Sequence, residues 1–524
     1  MKKWKVALTG LALSSVTLVI LSGCGSKSTG ATKVDSNTIT LMAPDHSDVH
    51  PKNEDLWMWK QYKKMSGVNV KWETVKDWDQ KKQLILSRKT LPDAFYQTGW
   101  SNDELVKYGT QGIFQPLEKL IPKYAPNLNK LMKEDPSIKK ALTTPDGHIY
   151  GLPYTGSDPM GGGRAFKLYF NKKWLDKLNL KAPTNTEELE QVLTAFVTKD
   201  PNGNGKADEQ GYYMDSDQFG PLELMVKSAF GLNSAGRTAM ENNYYVDDNN
   251  KLQYVFSSDK MKEVWEYEAE LYKKGLIAKT AFAGVDYDKW VADAGKDVVG
   301  LFSWVGRDFI GAEAMANYVP TTILNGPNGQ KGSLVTQSPV MGTSAFVITK
   351  DAKDPKKLLK WVDYFYSEKG SEFGFYGKEG VTYEVKDGKK VYVDKILNYP
   401  KGAQLGAYQY VDNVYAGFFP YLEQPEANKE IAYGREPEVY TDAPLDNLPK
   451  QILPTFMSTP DESSQLSTIT TDMNKYVEQA RVKFVTGKWN IDDNWDQYIS
   501  QLKKIGLDQW VKIRRQQYVR YQKN

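Results

Sequence analysis

The sequence predicts an α/β protein, and three observations carry that prediction. Between residues 38 and 96, short apolar runs alternate with amphipathic stretches in the order β-α-β-α-β. The middle of the chain is richer in helical spacing. Strand-like runs then return at 298–302 and 344–349, the second followed at once by a helical stretch over 353–366.

The elements follow in order. Thr38-Ile39-Thr40-Leu41-Met42 is a short β-like run, and a helix follows over 56–65. Val68-Asn69-Val70-Lys71-Trp72 alternates like a second strand, with a further helix over 78–87. Leu91-Pro92-Asp93-Ala94-Phe95-Tyr96 reads as a turn into a strand, so this lobe is expected to hold a mainly parallel sheet. Helices are predicted over 172–178 and 186–198, the latter capped by Thr184 or Thr186 with acids in its first turn. Another spans 260–274 and stops at Gly275. The tail shows helical stretches at 472–486, 495–505 and 507–521. Trp59, Trp174, Trp265 and Trp361 lie on helical stretches and are read as core.

The start of the chain has a different character. Lys2, Lys3 and Lys5 precede an uncharged run from Val6 to Leu21, then Leu21-Ser22-Gly23-Cys24. This is the layout of a secretory signal over residues 1–23, too short to span a membrane comfortably. Cys24 is the only cysteine, so no disulfide framework remains to the rest of the chain. The segment 25–37 is rich in Ser, Thr, Gly and Lys and reads as a flexible tether. The formal net charge is +3, which the three leader lysines account for. Nothing marks a nucleic-acid surface, which needs a basic patch. Aromatics are abundant, with 14 Trp and 32 Tyr; flat faces suit sugar rings, and equally cores and interfaces.

The sharpest chemical motif is Asp200-Pro201-Asn202-Gly203-Asn204-Gly205-Lys206-Ala207-Asp208-Glu209. Oxygen-bearing side chains of Asp200, Asn202, Asn204 and Asp208 fall at loop positions 1, 3, 5 and 9. Gly205 takes the sharp turn at position 6, and Lys206 offers its carbonyl at position 7. This spacing wraps hard oxygens around one point, as calcium requires. Position 12 is Gly211 rather than a bidentate Glu, so Glu209 or a distant acid must replace it. The bland alternative is an Asx-rich turn after a helix. A bound calcium here is structural, not catalytic.

No catalytic constellation stands out. His46, His50 and His148 are the only histidines, and the first two lack a third ligand for zinc. There is no Cys nucleophile in the mature chain and no Gly-x-Ser-x-Gly elbow. Gly161-Gly162-Gly163 is not followed by a phosphate-binding Lys-Ser/Thr. Carboxylate pairs for glycoside hydrolysis stay open among 65 acids, with none distinguished.

An ordered set of segments carries a resemblance. They are Leu91-Pro92-Asp93, Pro145-Asp146-Gly147-His148-Ile149-Tyr150-Gly151-Leu152-Pro153, Asn171-Lys172-Lys173-Trp174-Leu175-Asp176-Lys177-Leu178, the calcium-like loop, Gly377-Lys378-Glu379-Gly380-Val381-Thr382-Tyr383 and Trp495-Asp496-Gln497-Tyr498. With the Leu-Ser-Gly-Cys sequence, which resembles a bacterial lipobox, the chain resembles the family 1 extracellular solute-binding lipoproteins of carbohydrate ABC importers. The nearest branch is that of the large oligosaccharide and alginate binders. The resemblance implies a two-lobed periplasmic-binding-protein-like fold with a ligand cleft between lobes and several hinge crossings. It implies lobe 1 over 38–155 with return segments near 305–345, lobe 2 over 156–304 holding the calcium-like loop, and a mainly helical remainder over 346–524 shared between lobe 2 and the hinge. It implies acylation of Cys24, which begins a lipidated tether over 24–37, at the extracellular face of the cytoplasmic membrane. It also implies structural Ca²⁺ on Asp200, Asn202, Asn204, Lys206, Asp208 and Glu209, a carbohydrate ligand, ABC permease partners, a monomer and no catalysis. Lobes closing on a ligand that bridges them would be the working motion. Loop positions after strands make Trp100, Tyr154, Asp158, Trp304, Arg307, Tyr376 and Glu379 the candidate ligand contacts. The competing functions are a surface-tethered polysaccharide hydrolase or lyase, and a ligand-binding partner of a membrane sensor.

Overall fold

A computed structural model of the chain describes residues 37–47, 49–156, 167–212, 221–279, 281, 292–304, 317–321, 323–336, 338–400, 403–412, 419–423 and 447–524. Its strands run, in chain order, β1 (Thr38–Pro44), β2 (Asn69–Val75), β3 (Ala94–Tyr96), β4 (Leu152–Gly156), β5 (Lys167–Asn171), β6 (Gln210–Tyr212), β7 (Tyr244–Val246), β8 (Leu252–Tyr254), β9 (Val299–Trp304), β10 (Tyr318–Thr321), β11 (Val340–Ile348), β12 (Tyr383–Lys386), β13 (Lys389–Tyr392) and β14 (Leu422–Glu423). Among the described residues, no helix is long and apolar enough to cross a membrane.

Two sheets organise the molecule. The first has the order β14-β4-β11-β3-β1-β2 and the second β10-β5-β9-β6. In the first, β1 pairs in parallel with β2 from Thr38↔Asn69 to Pro44↔Val75, and with β3 on its other side. The sheet is mainly parallel as expected, with β1, β2, β3, β4 and β14 running one way and β11 antiparallel to its neighbours β3 and β4. β1 is covered on both faces. The helix Trp57–Ser66, between β1 and β2, buries Met58, Trp59 and Tyr62 against Ile39 and Leu41. The helix Trp78–Leu86, between β2 and β3, buries Trp78 and Ile85 with Met42 and Phe95 on the opposite face. A strand buried on both sides needs apolar residues of both parities, which Leu41, Met42 and Ala43 supply.

Local chemistry sets the helix ends. Gly67 closes the first helix with φ 67°, a left-handed turn that favours glycine. The helix Thr186–Thr198 is capped by Asn185, which accepts from the Glu188 amide at 2.8 Å; Thr184, one expected cap, bonds the Glu188 carboxylate instead. The helix Asp259–Lys273 starts on Ser258. The helix Pro460–Val485 begins well before the predicted 472, because Thr459 and Glu462 form a capping box ahead of Pro460.

The two sheets carry separate cores. Trp59 stacks on Trp361 at 5.4 Å in the first, while Trp174, Trp265, Trp495 and Trp510 lie in the second. All four helical tryptophans read as core are buried. β10, from the segment expected to return to the first lobe, hydrogen-bonds to β5 in the second sheet, and the return begins with β11. The remainder from 346 onward, expected to be shared between lobe 2 and the hinge, packs partly in each core. The helix Pro355–Asp363 and the β12–β13 hairpin contribute to the first core, and the helices Pro460–Val485, Ile491–Ile505 and Leu507–Lys523 belong to the second.

Candidate functional site

Strand directions locate the site. The carboxyl ends of β1, β2, β3, β4 and β14 and the start of β11 share one edge of the first sheet. The carboxyl ends of β6, β9 and β10 and the start of β5 share one edge of the second. The chain passes from β4 to β5, from β10 to β11, and from β14 to the last helices. Each of these three connections leaves or enters at one of these edges, which is where ligands bind in open α/β sheets.

A groove of about 710 Å³ opens between the lobes. Trp100, Asn102, Asp103 and Thr343 line it from the first lobe, and Thr238, Glu241, Asn242, Ser467 and Arg514 from the second. Among the described residues, direct bonds bridge it at two points. Ser463 Oγ donates to Asp103 Oδ2 at 2.6 Å, and Asn102 Nδ2 donates to the Thr455 carbonyl at 3.1 Å. On the second-lobe side, Asn242 Nδ2 donates to Thr455 Oγ1 at 3.4 Å. Asn102 and Asp103 are held at the start of the helix Asn102–Thr110 by the Ser101–Glu104 capping box. The walls thus present hydroxyls, amides, carboxylates and one guanidinium, a set suited to a hydroxyl-rich ligand. A larger groove of about 930 Å³ runs along the last helix, but only second-lobe residues line it.

The structure separates the predicted contacts. Trp100 lines the interlobe groove, yet its ring is only 3% exposed among Trp78, Phe95, Tyr108 and Phe114. It offers an edge rather than a face; its Nε1 has no partner among the described residues. Tyr154 is fully buried and stacked on Tyr421, so its ring fills the core instead of meeting a ligand. Tyr376 is likewise buried, stacked on Tyr392 and packed on Tyr383. Glu379 is exposed in the turn before β12, outside the groove lining. Trp304 ends β9 opposite Lys167, at the second sheet's crossing edge. Asp158, Arg307 and Cys24 lie outside the described residues.

Sequence reasoning missed a buried polar cluster at the first sheet's edge. Asp412, fully buried, accepts from Trp59 Nε1 and from Tyr96 OH through Oδ2, both at 2.9 Å. Gln97 Nε2 approaches Oδ1 at 3.3 Å, and His50 Nε2 lies 3.8 Å from it. Gln97, just past β3, has φ 55°, a left-handed conformation that strains a non-glycine residue. Burial, then the Asp412 charge, pushes the Tyr96 phenol well above its usual range, which keeps it a donor. Asp412 is 316 positions from Tyr96, beyond any local signal; the positive φ at Gln97 has none either.

The calcium-like loop follows the helix Thr186–Thr198. Asp200 accepts from the amides of Gly203 (3.0 Å), Asn204 (3.2 Å) and Gly205 (3.1 Å), which curls the chain around its carboxylate. Asn202 and Asn204 both donate to Asp208, and Asn204 Oδ1 accepts from the Lys206 amide. Those amides, Asn204 before Asn202, draw the Asp208 carboxyl below its ordinary value. Glu209 is 8% exposed with Oε1 unpartnered among the described residues; burial, then Asp200 and Asp208, push its carboxyl up. An orphaned carboxylate oxygen facing other acids fits a cation. The departure at position 12 also has a steric cause. A Cβ on Gly211 would come within 2.3 Å of the Leu276 carbonyl, so no Glu fits there. Among the described residues no three His, Cys, Asp or Glu side chains cluster at metal spacing, so a cation here would depend on the Asn and backbone oxygens as well.

Comparison with known proteins fits this architecture. The profile described as "Bacterial extracellular solute-binding protein" matches residues 54–372, more than half of the chain. The fructooligosaccharide ABC transporter substrate-binding protein FusA of Streptococcus pneumoniae serotype 4 is 29% identical over 559 aligned positions, covering 100% of this chain and 99% of FusA. FusA in complex with kestose superposes with a TM-score of 0.71 at 26% identity, covering 93% of this chain and 100% of that one. The structure of a FusA EF-hand mutant with fructo-nystose matches equally, with a TM-score of 0.71, 26% identity and the same coverage. The alginate-binding protein AlgQ2 without calcium ion gives a TM-score of 0.66 at 25% identity, covering 92% of this chain and 97% of its own. Two sheets joined at facing edges, a groove between them and a match over most of its length together make this chain a member of the bacterial extracellular solute-binding proteins.

Proposed function

We propose that this protein is the substrate-binding subunit of an ABC importer, which captures an oligosaccharide between its lobes and hands it to a membrane permease without altering it. The observation that carries this reading is the end-to-end similarity to FusA, joined to an interlobe groove walled by hydroxyl and amide groups. A ligand that bonds both walls favours the closed arrangement over the open one, and closure is the signal a permease can read. Trp100 and Asp103 act from the first wall, joined by Trp304 at the end of β9 and by Asp158 and Arg307, which come shortly after β4 and β9 in the sequence. Cys24 carries the lipid anchor on the extracellular face of the membrane, and the receptor works as a monomer near its permease.

The loop from Asp200 to Glu209 holds one structural calcium. Asp200, Asn202, Asn204, Asp208 and Glu209 supply side-chain oxygens and Lys206 its carbonyl, and the ion ties the end of the preceding helix to β6. It takes no part in ligand chemistry.

Calorimetry against a glycan panel containing kestose, combined with product analysis, tests the function. The expected result is micromolar or tighter binding of at least one oligosaccharide with the sugar recovered intact. Cleaved product, or silence across the panel, sinks the proposal.

A further inference from the structure

We propose that the amino-terminal edge of the first sheet, opposite the groove, is a docking surface for anionic phospholipid, on which the receptor rests with its groove turned away from the bilayer. This rests on the lipid-anchor reading of Cys24 and adds an orientation to it.

Topology gathers the surface. β1, β2, β3, β4 and β14 run one way, so their starts share the edge opposite the groove, and β11 ends there. The helices Trp57–Ser66 and Trp78–Leu86 end at that edge too, since each leads into the start of the next strand, and the helix Pro355–Asp363 begins there after β11. Hydrogen bonds tie these pieces together. The Asn69 amide donates to the Asn37 carbonyl at 3.0 Å, which sets the chain's entry into β1 beside the end of the helix Trp57–Ser66. Asp93, from the segment Leu91-Pro92-Asp93, accepts from the Thr40 amide at 2.7 Å and from the Lys353 amide at 3.1 Å. Asp351 accepts from the Leu91 amide at 2.9 Å.

Charge gives the surface its sign. Lys63 and Lys64 lie in the last turn before β2, Lys89 precedes β3, and Lys350, Lys353 and Lys356 follow β11. All six are exposed, and among the described residues none forms an ion pair. The nearby acids are engaged elsewhere. Asp93 and Asp351 hold the backbone amides just named, Asp354 caps the helix Pro355–Asp363 through the Lys357 amide, and Glu73 meets Arg88 at 3.6 Å. Three aspartates against six lysines leave the edge positive even when each carboxylate counts in full.

Exposed apolar groups stand in the same place. Met65 is 55% exposed and Leu84 is 72% exposed, the two most exposed large apolar side chains among the described residues. Each lies in the last turn of a helix that ends at this edge. Ammonium groups beside protruding apolar tips suit a lipid interface, where phosphates meet the first and acyl chains the second.

The chain's own anchor selects the occupant. Cys24 precedes Thr38 by 14 positions. A flexible segment of that length spans about 20 Å, so an acylated Cys24 keeps this edge close to the bilayer. Attraction to anionic headgroups acts over a Debye length of about 8 Å, so a few lysines make a contact that holds and releases. With this edge down, the groove faces incoming ligand, and breaking the contact frees the receptor to meet its permease.

The test is sedimentation of residues 24–524 carrying Cys24→Ser, which keeps every described residue, with vesicles of equal parts phosphatidylglycerol and phosphatidylcholine. The expected result is binding at about 50 mM salt that falls at least fivefold at about 300 mM salt and at least fivefold on pure phosphatidylcholine. Lys63→Glu, Lys64→Glu, Lys353→Glu and Lys356→Glu combined should lose at least fivefold. Lys488→Glu, Lys503→Glu, Lys504→Glu and Lys512→Glu combined, the same charge change on the second lobe, should bind as the parent does. Met65→Ser with Leu84→Ser should weaken binding at least twofold. Melting curves check that each variant is folded. No binding to the anionic vesicles overturns the inference, as does equal loss in the two lysine variants. A soluble glycerol-phosphate polymer that binds this edge while vesicles do not assigns it to a wall polymer and overturns the membrane contact. Mass spectrometry of the full chain made in a bacterial host separates the anchor from the surface. Acylated Cys24 without vesicle binding sinks only the surface, and unacylated Cys24 ends the anchor reading and the resting pose with it.

Discussion

Each lobe buries a charge cluster, and the two are built on opposite principles. In the second lobe, Glu223 meets Lys227 at 2.5 Å and Arg481 at 2.7 Å, and Arg481 also reaches Glu268 at 3.5 Å. Two cations answer two anions, Lys227 lies 4.5 Å above the Phe256 ring, and the group sits between helices of the core. In the first lobe, Asp412 has neutral donors and a single histidine, and it stands at the sheet edge where the chain crosses between lobes. A balanced cluster in a core is a structural device. An unbalanced one at a sheet edge holds its charge with neutral donors alone and leaves His50 Nε2 and Thr98 Oγ1 without hydrogen-bond partners among the described residues. The difference teaches that burial of charge says little by itself; the state of its partners says what it is for.

The contrast can be broken in measurable steps. The largest expected effect is on Lys227→Met. It removes one partner of a buried carboxylate, so urea unfolding should show a loss of about 3 kcal/mol or more, with sugar binding by the surviving folded protein unchanged. A loss below about 1 kcal/mol would mean that Arg481 alone satisfies Glu223.

Calcium comes next. At free calcium one hundred times its Kd, the loop should add about 2.7 kcal/mol, lost on chelation and absent in Asp200→Ala. Melting curves with and without chelator check this. Equal curves in both proteins would remove calcium from the account.

The smallest effect is a pH dependence that separates the clusters. Burial opposes ionisation of Glu223, but Arg481 and then Lys227 outweigh it and hold its carboxyl below the ordinary glutamate value. A depressed carboxylate stabilises the fold above its unfolded-state pKa and loses that contribution as pH falls through the folded one. Acid titration of Glu223→Gln should therefore show a shallower fall in stability below about pH 4.3, the ordinary glutamate value, than the parent shows. Parallel profiles would mean that the pair does not titrate in this window.

Much of the fold was legible because it is local. Trp59, Trp174, Trp265 and Trp361 were readable as core since helical spacing fixes which face they occupy, and each is buried. The loop from Asp200 to Glu209 was legible because all its oxygens fall within ten residues. Periodicity has no purchase on strand ends and turns. Tyr154 and Tyr376 stood in loop-like positions suited to a ligand, yet both pack into the first core. Trp100 was placed at the groove, but edge-on contacts with Trp78, Phe95 and Tyr108 bury its ring, and these join a loop, a strand and two helices whose packing local spacing does not give.

The sequence by itself determined the α/β rhythm and the tight Asx-rich loop over 200–209, because each depends on residues a few positions apart. Only the tertiary structure decided that β10 joins the second sheet and the 355–397 segment the first. It alone brought Asp412 to the end of β3, beside Tyr96 and Gln97. Those outcomes rest on hydrogen bonds and packing between residues hundreds of positions apart. Local spacing does not encode them; they follow from how two sheets with fixed twist and shared crossings bury their apolar faces.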